Sequence, residues 1–363
     1  MAVRDLGSLI AQMEEDQSIL RIARNPLAQF GTDEVPLLGA GILPEQTVET
    51  NSYREEKVQY RTVIANHGTR YSPIQIKGSA MTGWVDVTLW HSDKGDMMTS
   101  RDFDALLSYL RRRSDMEAIA SLTKFVDRGL VVPLKHRNEK DRWDAIVNAQ
   151  VVLLGDNGYT ETINFLNPAG HRAAAGGTWS NDAYDPFLDL YTMQQMLAAK
   201  GLKLKRLISS YNVVSIMSAN AKVAARTNRI TIISGTVTAQ EANVRLPEIN
   251  QALTRDGLPP IELFDAQYRT QTGTARFMPN NVVVGVCETG RDAELDLGDR
   301  IVILPNTLGY TAIGTPAGQS TPGTAMVVEH FRTKPPRIDG QIWQAAGVVI
   351  TEPEGLIVIS GIA

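Results

Sequence analysis

Two alternating segments joined by an unusually long connection constrain this fold more than any other feature. Residues 57–65 (KVQYRTVIA) and 84–90 (WVDVTLW) alternate in polarity, which predicts two strands, most simply antiparallel. The connection, residues 66–83, is rich in Gly, Ser and Thr, whereas hairpin loops usually have about 2–5 residues. We therefore expect a hairpin that projects from the body of the protein, where long loops usually meet a partner or carry a function.

The chain before this hairpin has no core of its own. Residues 25–51 contain repeated Pro and Gly without sustained periodicity, so an extended arm is predicted that must lie on its own subunit or on a neighbour. Residues 8–24 predict a modest amphipathic helix with residues 14–16 on its acidic side. Its apolar side consists of Leu9, Ile10, Met13, Leu20 and Ala23.

Three helices are expected beyond the hairpin. The first begins near Arg101 with Ser100 as N-cap and ends at Gly129. The second begins near Asp141 and stops at Gly155, and the third covers residues 182–200 with Asp182 as its cap. Helices and strands then alternate up to about residue 268, and the C-terminal part is strand-like. This order predicts a mixed α and β protein.

Composition excludes several classes of protein. The 363 residues are 43% hydrophobic, enough for one or two cores. A net charge of −4, from 36 basic and 40 acidic residues, disfavours a DNA-binding regulator. The single cysteine, Cys287, excludes disulfide scaffolds and cysteine zinc sites and is expected in the core. The N-terminal sequence predicts no signal peptide, and no apolar window predicts a membrane helix.

Three motifs that could suggest catalysis, phosphate binding or calcium binding lack the orientation or spacing that these sites require. His91-Ser92-Asp93 has the residue types of a nucleophilic triad, but neighbours in a strand point to opposite faces. The stretch GTPAGQST, residues 314–321, lacks the spacing and the lysine of a phosphate loop. The stretch RDAELDLGDR, residues 291–300, departs from a calcium loop, and a solvated acidic turn is favoured. We therefore predict no catalytic residue, cofactor or metal site, and a structural or binding role.

The order of elements and several local sequences resemble one family. The sequence of residues 141–165, the Trp179 and 185–190 stretch, and residues 248–268 are similar to the lambda-type protein E family of tailed-bacteriophage major capsid proteins. Residues 277–285 and the Arg332 to Pro336 segment, followed by a last apolar strand, continue the similarity. The resemblance spans the chain from about residue 50 to its end.

The resemblance implies the Hong Kong 97 bacteriophage capsid fold, of α+β class. It implies five parts: an N-terminal arm, an extended loop hairpin, a peripheral domain with a long spine helix, an axial α/β domain, and C-terminal strands that return to the peripheral domain. Their residues are 1–51, 52–99, 100–179, 180–320 and 321–363.

The function implied is that of a structural shell subunit. Such a subunit assembles with itself as pentamers and hexamers into an icosahedral phage head in the host cytoplasm, and the head encloses double-stranded DNA without reading its sequence. Portal, scaffold and cement or decoration proteins are the expected partners, and no membrane is involved. An encapsulin-like cellular shell is the alternative, distinguished by cargo enzymes, and a soluble α/β enzyme, distinguished by a small oligomer with a pocket, comes third.

Six residues are predicted to make contacts between subunits. Trp84 and Trp90 are expected to anchor the hairpin on a neighbour. Some relatives cross-link covalently through a lysine in the extended loop, where Lys77 lies; an ordinary exposed lysine is the alternative. Arg111, Arg112 and Arg113 point in three directions around their helix, which fits either a solvated face or an ion-pair surface between subunits.

Overall fold

The structure is a computed structural model that describes most of the chain. The described residues are 37–60, 80–112, 115–155, 160–227, 230–233, 236–239, 244–270, 273–288, 292–296, 301–305, 308–331 and 336–362. The predicted helix over 8–24, most of the arm and the middle of the long loop lie outside them.

The described chain contains helices and strands in mixed order. The helices are α1 (Leu38–Ile42), α2 (Ser100–Arg111), α3 (Asp115–Phe125), a π-helix (Val126–Val131), α4 (Val132–Asn148), α5 (Pro186–Ala198), α6 (Tyr211–Ala219), α7 (Ala221–Arg226) and α8 (Leu246–Arg255). The strands are β1 (Glu45–Thr47), β2 (Ser52–Tyr60), β3 (Ala80–Thr88), β4 (Trp90–Met97), β5 (Gln150–Leu154), β6 (Thr160–Asn164), β7 (Arg172–Ala174), β8 (Lys203–Ser209), β9 (Ile230–Ile233), β10 (Thr236–Ala239), β11 (Ile261–Leu263), β12 (Gln267–Arg269), β13 (Thr274–Arg276), β14 (Val283–Glu288), β15 (Asp292–Asp296), β16 (Ile301–Pro305), β17 (Gly309–Ile313), β18 (Thr324–Phe331), β19 (Arg337–Ile350) and β20 (Leu356–Ser360).

One five-stranded sheet is organised around the long strand β19. The first half of β19 pairs antiparallel with β4 and with β18, and its second half pairs with β17. Helices α2 and α3 and the π-helix pack on this sheet through a shared apolar cluster that includes Leu106, Leu122, Leu130 and Ile342. Burial of such side chains is the main force that holds helices on a sheet.

The long helix differs from its prediction. Helix α2 begins after Thr99, whose hydroxyl accepts a hydrogen bond from the Asp102 amide, so Thr99 and not Ser100 is the N-cap. A continuous helical run covers residues 115–148, because the chain passes through Gly129 in π-helical geometry and continues into α4. Pro133, in the first turn of α4, has no N–H to donate to the carbonyl four residues earlier, and the π-helical segment directly precedes α4.

The end of this run also differs. Helix α4 stops at Asn148 because Ala149 adopts a left-handed φ of 51°, and not at Gly155. Residues 150–154 then form β5, which pairs antiparallel with β6. The apolar residues at 151 and 154 therefore belong to a strand, not to the helix predicted there.

A second five-stranded sheet has the order β11-β8-β14-β20-β7. Cys287 is buried in β14, as expected. Helix α5 is capped by Asp185, while Asp182 accepts from the Ala221 amide, so the predicted cap of the third helix is wrong. The last strand, β20, pairs with β14 and β7 and not with the sheet of β18 and β19.

The projecting hairpin is present. Strands β2 and β3 pair antiparallel over nine residues, from Ser52 with Thr88 to Tyr60 with Ala80. The predicted strand over 84–90 is interrupted at Leu89, whose amide bonds the carbonyl of Asn51. Trp90 instead starts β4 in the first sheet, so the hairpin and the sheet meet at this point.

The described end of the predicted arm lies on the body of its own chain, and it is not extended throughout, because residues 38–42 form helix α1. Helix α1 packs on α4, and β1 extends the first sheet by pairing parallel with β17. Within the described ranges, no helix combines the length and the apolar character that crossing a membrane requires.

Candidate assembly interfaces

The base of the hairpin is fixed firmly to the body. The side-chain amide of Asn51 donates to the Thr315 carbonyl and its oxygen accepts from the Thr315 amide, both at 2.8 Å. The hydroxyls of Tyr53 and Tyr310 are hydrogen bonded at 2.8 Å. Val87, Val349 and neighbouring apolar residues pack beneath these bonds. The hairpin therefore projects from a rigid base.

Trp90 links this base to α4. Its indole Nε1 donates to Oδ2 of Asp141 at 3.1 Å, and its side chain is buried within its own chain. Arg137 Nε lies 3.1 Å from Oδ1 of Asp141, as an ion pair without hydrogen-bond alignment. Burial raises the pKa of Asp141 to about 6, although Arg137 and the indole oppose the shift.

A buried charge network fixes the root of the arm. Both Glu139 and Arg142 are completely buried on α4. Glu139 Oε1 accepts from the Gly39 amide at 2.6 Å and from the Trp143 indole at 2.9 Å. Arg142 donates to Glu139 at 3.2 Å and to Glu45 at 2.7 Å. This network consequently fixes Gly39 and Glu45 beside α4.

Sequence reasoning missed this network. The only signal is a run of charged residues in 135–144, which looks like an ordinary solvated helix face. Glu139 and Arg142, three positions apart, lie on one side of the helix. That side is buried because α1 and β1 cover it, and the periodicity of α4 alone does not show that cover.

Charged groups also hold the helices around the second sheet. Arg226 on α7 forms ion pairs with Asp185 at 2.6 Å and with Asp256 at 3.0 Å. Tyr191 on α5 donates a hydrogen bond to Asp256 at 2.9 Å. Burial, and to a smaller extent this hydrogen bond, raises the pKa of the Tyr191 phenol. Helices α5, α7 and α8 thus form one unit.

The predicted contact residues lie in different surroundings. Arg111 and Arg112 are exposed at the end of α2, and neither has an ion-pair partner in the described part of the chain. The backbone of Trp84 pairs with Glu56 in the hairpin. Lys77, Arg113 and the side chain of Trp84 lie outside the described residues. Contacts of all six residues with a neighbouring subunit stay predictions, and the Trp90 side chain is bonded within its own chain to Asp141.

Large apolar side chains are exposed at several places in the described part of the chain. They are Met97, Met116, Ile119, Val152, Leu154, Leu166, Leu188, Tyr211, Leu263 and Val327. Their exposed fractions reach 71% for Leu154 and 85% for Met116. Single exposed apolar residues are common, but a set of this size indicates surfaces that other chains cover.

The rejected motifs lie in ordinary structure. His91, Ser92 and Asp93 are consecutive residues of β4 and pair with β19. Asp292–Asp296 is a strand paired with β16. The loop over 314–321 is fixed by the Trp343 indole, which donates to the Ala317 carbonyl at 3.0 Å. In the ranges the structure describes, no group of three His, Cys, Asp or Glu residues could hold a metal ion.

No protein-family model matches the chain, and no curated protein is significantly similar to it in sequence. Solved structures do match in fold. The putative capsid protein of a prophage of Escherichia coli CFT073 has a TM-score of 0.57 at 14% identity, over 95% of this chain and 98% of that one. A phage-related protein from Bordetella bronchiseptica RB50 has a TM-score of 0.53 at 15% identity, over 96% and 97%. An encapsulin complex from Synechococcus elongatus PCC 7942 has a TM-score of 0.38 at 11% identity, over 99% of this chain and 96% of that one.

The first two matches extend over nearly the whole of each chain. The chain has the α+β fold of phage capsid proteins of the Hong Kong 97 type.

Proposed function

We propose that this chain is the major capsid protein of a tailed bacteriophage. It assembles with itself as pentamers and hexamers into an icosahedral head that encloses double-stranded DNA. The observation that carries the proposal is the fold, shared over 95% of this chain and 98% of a putative prophage capsid protein. The proposal gives the chain a structural role and no catalytic one.

Two features of the surface support assembly. Large apolar side chains are exposed on α3, α5, β5 and the loop after β6, so burial of these residues in a neighbour would stabilise an oligomer. The hairpin and the arm each leave the body from a base held by buried or paired polar groups. A segment that leaves the body from a fixed base is suited to reach an adjacent subunit.

The division into parts belongs to the proposal. Residues 1–51 form the arm, 52–99 the extended loop, 100–179 the peripheral domain, 180–320 the axial domain, and 321–363 the returning strands. Strands β18 and β19 support this return, since their residues Val328 and Ile342 share an apolar cluster with Leu106, Leu122 and Leu130 of the peripheral part. Because β17 pairs with β19 and β20 pairs with β14, the C-terminal strands connect both sheets.

Partners and location follow from the same proposal. Portal, scaffold and cement or decoration proteins would meet the shell, and the subunit would be found in the phage head after assembly in the host cytoplasm. A net charge of −4 suits a lining that lets DNA pack without holding it.

The test is expression of the full chain, followed by a sucrose gradient and negative-stain microscopy of each fraction. Closed shells, tubes, or rings of five and six subunits are the expected result. A folded monomer or dimer that stays so at high concentration, also when co-expressed with the neighbouring genes, would overturn the proposal. Shells filled with a cargo enzyme in the native host would favour the cellular compartment, and a small oligomer that turns over a substrate would favour the enzyme.

A further inference from the structure

Both strands of the projecting hairpin leave the body at Asn51. This residue directly precedes β2, and its side-chain amide makes two hydrogen bonds with the backbone of Thr315, which lies 264 residues later in the chain. The backbone carbonyl of Asn51 accepts a third hydrogen bond, at 2.9 Å, from the amide of Leu89, which directly follows β3. Asn51 therefore connects the lower ends of both hairpin strands to the loop that follows β17.

The loop after β17 is itself fixed to the first sheet. The amide of Gly314 donates to the Ala345 carbonyl of β19 at 2.8 Å, and the Trp343 indole donates to the Ala317 carbonyl at 3.0 Å. Gly314 is buried, and a β-carbon at this position would overlap Oδ1 of Asn51. The Asn51 amide therefore lies against a fixed and closely fitting support.

The other contacts at the base of the hairpin are less directional than those of Asn51. Val87, Val349 and their apolar neighbours hold the hairpin on the body, but hydrophobic contact has no preferred direction. The hydroxyls of Tyr53 and Tyr310 share one hydrogen bond, and a hydroxyl rotates to follow its partner. The carboxamide of Asn51 presents a donor and an acceptor in one plane, and hydrogen bonds weaken steeply when they are misaligned. Among these groups, Asn51 is the one suited to define the angle of the hairpin.

The length of the hairpin amplifies any change at its base. Nine residue pairs connect β2 and β3, so the paired strands are roughly 30 Å long at about 3.3 Å per residue. A rotation of about 10° at Asn51 would move the far end of the hairpin by about 5 Å. This displacement exceeds the distance of roughly 4.0–4.5 Å within which apolar side chains are in contact. The far end would then miss a contact that it makes at the correct angle.

We propose that Asn51 is a positioning residue that holds the projecting hairpin at one angle to the first sheet, and that this angle sets the curvature of the assembled shell. Whether identical subunits form closed or open assemblies depends on the rotation between neighbours, and a hairpin held at one angle keeps that rotation uniform. This inference rests on the proposed shell function and goes beyond it by naming a residue that controls the shape of the assembly.

The angle of the hairpin is measured in the unassembled full-length chain. Ala80→Cys at the far end of β3 and Gln341→Cys, at an exposed position of β19, carry nitroxide labels. Pulsed electron paramagnetic resonance gives the distribution of distances between the two labels. The native Cys287 is only 3% exposed and should not be labelled. We expect one narrow distribution with Asn51 present, and a distribution at least about twice as wide after Asn51→Ala, because two directional bonds are lost.

The matched control is Asn250→Ala. The Asn250 amide makes the same two hydrogen bonds, to the carbonyl and from the amide of Ile261, but these bonds join α8 to β11 and not the hairpin to the body. Since each alanine variant loses two hydrogen bonds, the melting temperature of each should fall by a similar amount, about 2–6 °C. Only Asn51→Ala should widen the distribution of distances.

Assembly tests the link between this angle and the shell. Particles of each variant are isolated on a sucrose gradient, and their diameters are measured by negative-stain microscopy. Asn51→Ala should widen the spread of diameters at least about twofold or give open sheets and tubes, whereas Asn250→Ala should keep the unaltered diameter. Gly314→Ala should produce the same defect as Asn51→Ala, because its methyl group would displace the Asn51 amide.

The outcomes separate this inference from the proposed function. If the unaltered chain never assembles, the shell function fails and the claim on curvature fails with it, while the distances still test the angle. If the distances are as narrow in Asn51→Ala as in Asn250→Ala, the apolar contacts fix the angle and the inference is overturned. If the distances widen but the particles keep one diameter, Asn51 holds the hairpin without setting the curvature, and the inference fails while the shell function stands.

Discussion

The carboxylate of Glu139 accepts hydrogen bonds from the arm, from the Trp143 indole and from Arg142, and it is completely buried. Glu139→Ala would leave Arg142 buried beside an empty site, with Glu45 as its remaining charged partner. We expect the free energy of unfolding to fall by about 3–5 kcal/mol, the usual result of removing one member of a buried ion pair. Urea denaturation measures this change.

The control for this prediction is Glu117→Ala, in which an exposed carboxylate of α3 is removed. Its effect should stay within about 0.5 kcal/mol. Limited proteolysis should also cut the Glu139→Ala chain near Gly39 faster than the unaltered chain, because the bond to the arm is lost. Equal stability of the two variants would show that the network does not hold the arm.

Asp141 makes stability depend on pH in an unusual direction. Burial raises its pKa to about 6 in the folded chain, above the value of about 3.9 in an unfolded one. Between these values the folded state binds more protons, so stability from this group is present at low pH and decreases as pH rises from about 4 to 6. In Asp141→Asn this contribution is absent.

The measurement is the free energy of unfolding of the unaltered chain minus that of Asp141→Asn, from pH 4 to pH 7. We expect this difference to fall with rising pH by up to about 3 kcal/mol, the size of a shift of two pKa units. The exposed Glu117→Gln variant is the matched control for loss of one carboxyl. A difference that rises with pH would mean that Arg137 dominates over burial.

At the scale of elements, sequence patterns predicted those strands and helices whose formation depends mainly on nearby residues. Alternation predicted part of the hairpin strands, since residues 57–60 of β2 and 84–88 of β3 fall within the predicted segments 57–65 and 84–90, and the spacing of apolar residues predicted α5. The extension of the long helix past Gly129 was missed, since packing of Leu130 against the first sheet overrides the helix-ending tendency of glycine. The stop at Asn148 was missed as well, because Ala149 is not a residue type expected in left-handed geometry.

Asn220 separates α6 from α7 and holds both. Its Oδ1 accepts from the amides of Lys222 and Val223, and its Nδ2 donates to the carbonyls of Trp179, Asn181 and Tyr184. Asn220→Ala should lower the free energy of unfolding by about 2–4 kcal/mol, because a cap is lost and buried carbonyls lose their donor.

Two neighbouring variants divide this effect, measured by thermal or urea unfolding. Asn220→Asp keeps the acceptor for the α7 amides and loses the donor, so its stability should fall between those of the unaltered chain and Asn220→Ala. Lys222→Ala, a change of an exposed side chain two residues away, should shift stability by about 0.5 kcal/mol or less. If Asn220→Asp is as unstable as Asn220→Ala, the cap contributes nothing.

At the scale of the whole molecule, the two tryptophans predicted to anchor the hairpin differ in what their substitution would test. Trp90 is buried in its own chain and bonded to Asp141, so Trp90→Ala would destabilise the subunit by about 3–5 kcal/mol and would not report on assembly alone. Sequence could not separate the two tryptophans, because both lie in one alternating segment and only the break at Leu89 sends Trp90 into a different sheet.

Trp84 therefore provides the sharper test of the hairpin. Its strand pairs only with β2 among the described strands, and Trp84 lies opposite Glu56, three residues beyond Tyr53 at the base. Trp84→Ala should leave the unfolding of the isolated subunit within about 1 kcal/mol of the unaltered value, while assembly in the sucrose gradient falls at least about tenfold, as for an aromatic anchor at an interface. Trp84→Phe, which keeps an aromatic ring, should recover most of the assembly. Normal assembly of the folded Trp84→Ala chain would remove Trp84 from the contact between subunits and leave the hairpin to act through its other residues.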